Sequence, residues 1–325
     1  MLQCKPLIDY PSSMKCLVTG GGGFIGSHLC GLLLSAGNEV ICVDDFSTGD
    51  KRNIKTYMVE KGFQLVEQDI TVAPLNLEDK VDRIYHLACP ASPIDYNNLP
   101  IKTLLTSSHG TKNILDFAVK KKARFLFAST SEVYGDPLEH PQGESYWGNV
   151  NSLGPRSCYD EGKRYAESLI TNYECEYALD TRIIRLFNTY GPNMRAHDGR
   201  VIPNFINQAL EGKEITIYGE GEQTRSFCYI DDMITGLIGL MDLDKIEGPV
   251  NWGNPSEITI RDLAKTVLRL TGSSGEIVSM PLPQDDPVRR CPDISKAVGL
   301  LGFKPEVSLE EGLQRTIDFF RPSVS

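Results

Sequence analysis

The sequence predicts an α/β fold, a doubly wound parallel sheet with a smaller C-terminal lobe, on three observations. Strand-length apolar runs alternate with helical patterns through the first half of the 325 residues. The first run ends in a glycine-rich turn that opens a helix, and the second ends in an acidic pair, Asp44-Asp45. Beyond about residue 190 the alternation loosens. The first two features make a βαβ unit, the building block of parallel sheets covered on both faces. The third divides the chain into an N-terminal extension (1–13), a nucleotide-binding domain (14–190) and a lobe (191–325) interleaved with that domain.

Taken in order, residues 15–19 are a short buried strand followed by Gly20-Gly21-Gly22-Gly23-Phe24-Ile25-Gly26. Glycines at 20, 23 and 26 allow a tight turn, close approach of backbone to a pyrophosphate and close helix–strand packing. A helix to about residue 36 and a strand at 40–43 follow, and Asp44 then stands where an acid hydrogen-bonds an adenosine ribose. Asp44 would repel a ribose phosphate and no arginine follows it directly, so the expected cofactor is NAD rather than NADP. Residues 63–66 are the third strand, with Asp69 and Ile70 placed at the adenine edge. The fourth strand, 83–88, carries Leu87 into a turn-rich segment, 89–93, at the carboxyl end of the sheet, where such folds bind ligands.

Residues 101–121 have helical spacing, and the apolar run 125–128 leads into Ser129-Thr130-Ser131-Glu132. A long irregular loop spans 135–159, then a helix runs to 177 with Tyr159 and Lys163 one turn apart on one face. A phenol loosened by a nearby ammonium takes a proton from a hydroxyl near neutral pH. A strand-end hydroxyl beside it completes a hydride-transfer site. The strand 181–186, helix 201–210, strand 214–218, helix 229–241, strand 250–252 and helices 260–270 and 308–320 complete the chain.

Composition narrows the partners. The net charge is −10 and no basic run exceeds Lys120-Lys121-Lys122, so nucleic acid is not an expected partner. An anionic substrate must be held by local cations. Residues 1–13 lack the apolar core of a signal peptide, and no apolar run reaches the roughly 20 residues that span a bilayer. Nine cysteines follow neither metal nor disulfide spacing, and Cys16, Cys30 and Cys42 sit in apolar runs. They read as reduced core residues of a cytoplasmic protein with no metal site.

With these residues in hand, the chain resembles the extended short-chain dehydrogenase/reductase family over nearly its whole length. Within it, the chain is most similar to the UDP-glucuronic acid decarboxylases, or UDP-xylose synthases. The matching stretches are HLACPASP at 86–93, STSEVYGDP at 129–137, YWGNVN at 146–151, CYDEGKR at 158–164, QTR at 223–225 and DDPVRRCPD at 285–293.

The resemblance implies a Rossmann-type domain and roles for individual residues. Tyr159 would deprotonate the sugar 4-hydroxyl, Lys163 would lower the Tyr159 pKa and hold the nicotinamide ribose, and Thr130 would bond the 4-oxygen. Gly20, Gly23, Phe24, Ile25, Gly26, Asp44, Asp69, Ile70 and Leu87 would contact NAD. Ser131 would bond the glucuronate carboxylate in place of the aspartate of the 4,6-dehydratases. Glu132 would position the proton that returns to the sugar, unless it is a strand-end carboxylate satisfied by backbone.

Ser92, Tyr96, Asn188, Gln223, Arg225 and Arg290 would hold the UDP-sugar. Tyr218 would lie at the uracil or be a core tyrosine, and Arg185 and Arg289 would be substrate-binding, structural or surface residues. The resemblance implies UDP-glucuronate as substrate and a homodimer built on the helices at 101–121 and 159–177. Cys291 and the Ser107-Ser108 pair depart from the family pattern, which has a basic residue and an asparagine there. The competing readings are a UDP-sugar 4-epimerase, a 4,6-dehydratase, a decarboxylase that releases the 4-keto pentose, and an NAD-binding sensor without catalysis.

Overall fold

The computed structural model describes residues 14–281 and 289–321. The extension 1–13 and the first four residues of the 285–293 stretch lie outside the described residues. Strands β1 (Lys15–Thr19), β2 (Glu39–Asp44), β3 (Phe63–Glu67), β4 (Arg83–His86), β5 (Arg124–Thr130) and β6 (Thr181–Leu186) share one sheet with a seventh strand, Val250–Trp252. The order is seventh-β6-β5-β4-β1-β2-β3, and every neighbouring pair is parallel. The C-terminal half thus supplies one edge of the main sheet.

Helices α1 (Phe24–Ser35), α2 (Pro93–Asn98), α3 (Pro100–Leu105), α4 (Thr111–Lys121) and α5 (Ser157–Tyr177) alternate with the strands. The second half adds α6 (Val201–Leu210), α7 (Ile230–Asp242), α8 (Ile260–Thr271), α9 (Ser295–Leu301) and α10 (Leu309–Phe320). The sheet is buried on both faces, which is why its strands read as apolar runs without alternation. Cys16, Val18, Leu126 and Ile184 face the layer of α1 and α7. Leu17, Phe125, Phe127 and Ile183 face Ile114, Phe117, Ala166 and Ile170 of α4 and α5. The edge strand β3 has no fully buried residue.

Three local features differ from the sequence expectation. The segment after Ser92 is a helix rather than a turn: Pro93 opens it and the Ser92 hydroxyl accepts a hydrogen bond from the Asp95 amide at 3.2 Å. The helical pattern at 101–121 is two helices joined by a π-helical turn, Thr106–Gly110, which accommodates one extra residue per turn. That turn puts Ser107 inside, with its Oγ 3.5 Å from the Cys89 Sγ, and Ser108 outward, bonded to the Leu104 carbonyl.

The second half bears out the expected strand 214–218 as Ile215–Tyr218, and it adds short strands that the sequence reading did not include. Thr224–Ser226 lies between Glu257–Thr259, antiparallel to it, and Arg289–Arg290, parallel to it. Ile215–Tyr218 pairs with Ile277–Met280.

Candidate active site

A cleft of about 970 Å³ runs across the carboxyl ends of the strands and collects almost every candidate residue. It is centred where the chain leaves β1 for β2 on one side and returns as β4 on the other, the position where open α/β sheets bind dinucleotides. Gly20 adopts φ +72°, and a Cβ there would stand 2.9 Å from the Ala88 Cα. A Cβ on Gly26 would drive into the Gly20 carbonyl oxygen. Gly23 begins α1 with no side-chain cap, and no acid lies in the first turn. The free amides of a twelve-residue helix thus face the cleft, and they suit a pyrophosphate.

Asp44 ends β2 with one carboxylate oxygen 2.8 Å from the Gly22 amide and the other 2.8 Å from the Phe46 amide. Burial pushes its carboxyl above the usual range, and these amides pull it back. The carboxylate therefore fixes the glycine turn as well as lining the cleft. Lys102 pairs with Asp45 and Asp69, so the nearby ammonium is already neutralised. That arrangement fits NAD, whose adenosine ribose carries no phosphate. Phe24, Ile25, Asp69, Ile70 and Leu87 line the same half of the cleft.

At the centre, Tyr159 is buried and stacked on Tyr96, with ring centroids 5.2 Å apart and planes 13° from parallel. Lys163 donates to the Ala128 carbonyl at 2.7 Å, with its ammonium 5.9 Å from the centre of the Tyr159 ring. Burial is the largest influence on both: it pushes the phenol well up and the ammonium down. A hydrogen bond with Thr130 and the charge of Arg200 draw the phenol partly back. The Lys163 ammonium is directed to the Ala128 carbonyl at the end of β5, one helical turn from Tyr159.

Beside this pair, Thr130 caps the turn Ser131–Tyr134 by accepting from the Glu132 amide at 3.2 Å. Ser131 is buried and lines the cleft. Glu132 is not satisfied by backbone. Arg290 forks onto it at 2.5 and 2.7 Å, and Arg156 bonds one of the same oxygens. Burial raises the Glu132 carboxyl, and the charges of Arg290 and Arg156 overcome it, to about 2. Arg156 was not among the sequence candidates, although it stands just before the α5 motif. Neither was Asp160.

Asp160 has one buried oxygen without a hydrogen bond among the described residues, and its other oxygen lies 3.9 Å from Arg156. Burial, then the charge of Glu132, raise it to about 7. The two carboxyls therefore have opposite signs in stability. Glu132, depressed in the fold, contributes stability above its unfolded pKa of about 4.3, and that contribution is lost as pH falls through about 2. Asp160, raised in the fold, binds its proton up to about pH 7, so its contribution shrinks as pH rises from about 4 to 7. Asp160→Asn, which mimics the protonated form, should gain on the wild type over that interval in urea unfolding. A constant difference between pH 4 and 8 would contradict the buried, proton-holding Asp160.

The second half of the cleft is cationic. Arg225 and Arg290 are register partners on adjacent short strands, and both are buried. Arg225 donates to the Thr224 carbonyl at 2.9 Å, and Arg290 is committed to Glu132 rather than extended alone. Asn188 donates to the Ser226 carbonyl and Gln223 to the Tyr218 carbonyl, both facing the cleft. Tyr218 is 49% exposed at the cleft wall, so it is not a core tyrosine. Arg195, paired with Asp95, and Arg200, bonded to the Ala91 carbonyl, add two cations that the sequence reading missed. Arg185 is structural: it forks onto Glu167 at 2.9 and 2.7 Å and bonds the Tyr134 hydroxyl at 2.9 Å. Arg289 is exposed.

Comparison with known proteins agrees with this geometry. Residues 16–253 match the NAD dependent epimerase/dehydratase family. UDP-glucuronic acid decarboxylase 6 of Arabidopsis thaliana is 53% identical over 313 residues, covering 96% of this chain and 90% of the relative. UDP-glucuronic acid decarboxylase 1 of Xenopus tropicalis is 52% identical over 94% of this chain and 72% of its own length. Among solved structures, the UDP-glucuronic acid 4-epimerase of Bacillus cereus, in complex with UDP-glucuronic acid and NAD, superposes with a TM-score of 0.85. It is 32% identical and covers 94% of this chain and 98% of its own. The chain carries the glycine turn, the Tyr–Lys pair and the Ser131–Glu132 step in one cleft at the carboxyl end of the sheet, and it belongs to the NAD dependent epimerase/dehydratase family, among the UDP-glucuronic acid decarboxylases.

Proposed function

We propose that this enzyme converts UDP-glucuronate to UDP-xylose, using NAD as a bound catalyst. The observation that carries this reading is the Ser131–Glu132 step beside Tyr159. A neutral hydroxyl stands next to a carboxylate that two guanidiniums hold ionised. NAD, which the glycine turn, Asp44 and Lys163 would hold in the cleft, would supply reversible hydride acceptance for the sugar C4.

Tyr159 takes the proton from the 4-hydroxyl while Thr130 holds that oxygen. Lys163, steadied by the Ala128 carbonyl, reaches the nicotinamide ribose. Once C4 is a ketone, the carboxylate on C5 is β to it, and its bonding electrons flow into the carbonyl as carbon dioxide leaves. The Tyr159 hydroxyl supports the enolate oxygen. Ser131 bonds the glucuronate carboxylate without adding a second negative charge. Glu132, held anionic, orients the proton donor to C5 rather than serving as the acid itself.

Ser92, Tyr96 and Asn188 hold the sugar and phosphates, while Gln223, Arg225 and Tyr218 hold the nucleotide. Arginine serves the diphosphate through its planar fork. Residues 14–190 act as the NAD domain and 191–325 as the substrate lobe. Incubation with UDP-glucuronate and NAD should yield carbon dioxide and UDP-xylose with no net NADH, followed by NMR. UDP-galacturonate without carbon dioxide would instead make it an epimerase, and carbon dioxide with accumulating NADH would mean release of the 4-keto pentose.

We also propose a homodimer through α3 and α5, whose Ile101, Leu105 and Tyr165 are 66, 40 and 52% exposed. Light scattering should give about twice the 36.1 kDa chain mass. All eight cysteines among the described residues are free thiols, which suits a reducing, cytoplasmic compartment. Among the described residues no helix is long and apolar enough to cross a membrane.

A further inference from the structure

Cysteine spacing in the sequence predicts no metal site, yet the fold brings three ligand types together from distant segments. His140, in the loop after β5, has its Nε2 3.0 Å from the Glu257 Oε2. Cys291 follows Arg290, and its thiol lies in the same group, with all three ligand atoms within 4.8 Å of one another. Among the described residues no other group of three His, Cys, Asp or Glu side chains is this compact.

The frame that carries these ligands is held by backbone bonds. Gln142, two residues after His140, donates its amide to the Cys291 carbonyl at 2.9 Å and accepts from the Cys291 amide through its side chain at 2.9 Å. The Asp293 amide bonds the Gln142 carbonyl, also at 2.9 Å. Glu257 is set by pairing with Ser226 and by the Thr224 hydroxyl at 2.5 Å. The backbone of all three ligands is thus fixed, and the exposed His140 and Glu257 side chains already meet each other at 3.0 Å.

We propose that His140, Glu257 and Cys291 form a site for a divalent cation of the zinc class, with solvent as fourth ligand. Thiolate, imidazole and carboxylate together select zinc or a softer ion over magnesium or calcium. Zinc bonds of about 2.0–2.3 Å place ligand atoms about 3.5 Å apart, a closure that side-chain rotation supplies. On binding, the Cys291 thiol gives up to solvent the proton it now donates to the Pro255 carbonyl at 3.3 Å, and its sulfur takes the metal instead. The metal would clip the 136–150 loop to the strand that carries Arg290, adjacent to the Arg290–Glu132 fork.

The test is equilibrium dialysis of the purified full-length chain against Zn²⁺ alone, compared with Cys291→Ser, His140→Gln and Glu257→Gln. The wild type should hold one zinc per chain, and each variant should bind at least about tenfold more weakly. Titration of the wild type with Cd²⁺ should produce a sulfur-to-metal charge-transfer band and protect Cys291 from alkylation, read by mass spectrometry. That measurement needs no variant to fold. Undiminished zinc binding by Cys291→Ser, a band without protection of Cys291, or binding indifferent to both His140 and Glu257 would each overturn the site.

Discussion

Tyr159→Phe should lower turnover of UDP-glucuronate by about 10²–10⁴ while leaving NAD affinity close to wild type. The phenylalanine keeps the ring that stacks on Tyr96 at 5.2 Å, so the packing of the site survives. What goes is the one hydroxyl to which the proposed mechanism assigns both removal of the 4-hydroxyl proton and support of the enolate. The fall should appear in kcat rather than in KM, because the lost interaction is made mainly in the transition state. Initial rates and fluorescence titration of NAD separate the two quantities. A variant retaining more than about a tenth of the wild-type rate would remove Tyr159 from that role.

Glu132→Ala should be the most damaging single change to stability in the site. Its carboxylate is the shared partner of Arg290 and Arg156, and Arg290 is buried. Removing it leaves two guanidiniums repelling each other inside the fold, a cost of about 3–5 kcal/mol. Activity should fall as well, by at least about 10², since the proton donor to C5 loses its guide. Glu132→Gln keeps the shape and loses the charge, so it should unfold at lower urea than the wild type but higher than Glu132→Ala. Equal midpoints for all three proteins would show that the clamp contributes nothing.

Much of this architecture is legible in the sequence. The sheet strands were legible because parallel strands buried on both faces must be continuously apolar, and 181–186 and 250–252 coincide with their sequence expectation. The glycine turn and the Tyr159–Lys163 pair were legible because each depends on local spacing.

What escaped was assembled over long range. Arg156 becomes a partner of Glu132 only when α5 packs against the turn after β5, and Asp160 acquires its perturbed proton from the same packing. The two- and three-residue strands that carry Arg225 and Arg290 are shorter than any period can register. Helix α2 was missed for a different reason: its Ser92-Pro93 start carries a capping signal that the surrounding turn residues obscured.

The Arg290–Glu132 fork joins residues 158 apart in the chain, and that separation sets an order of events during synthesis. At about 5–20 residues per second, a ribosome needs on the order of ten to thirty seconds to travel that distance. Over that interval the nascent chain holds the β5 turn and α5, with Arg156 as the sole clamp partner of Glu132 yet made. The seventh strand is translated within this period as well, so the whole main sheet precedes the fork that completes the Glu132 clamp. The chain therefore passes through a stage at which every strand of the main sheet has been made and the Arg290–Glu132 fork has not, and the fork closes only after Arg290 is synthesised.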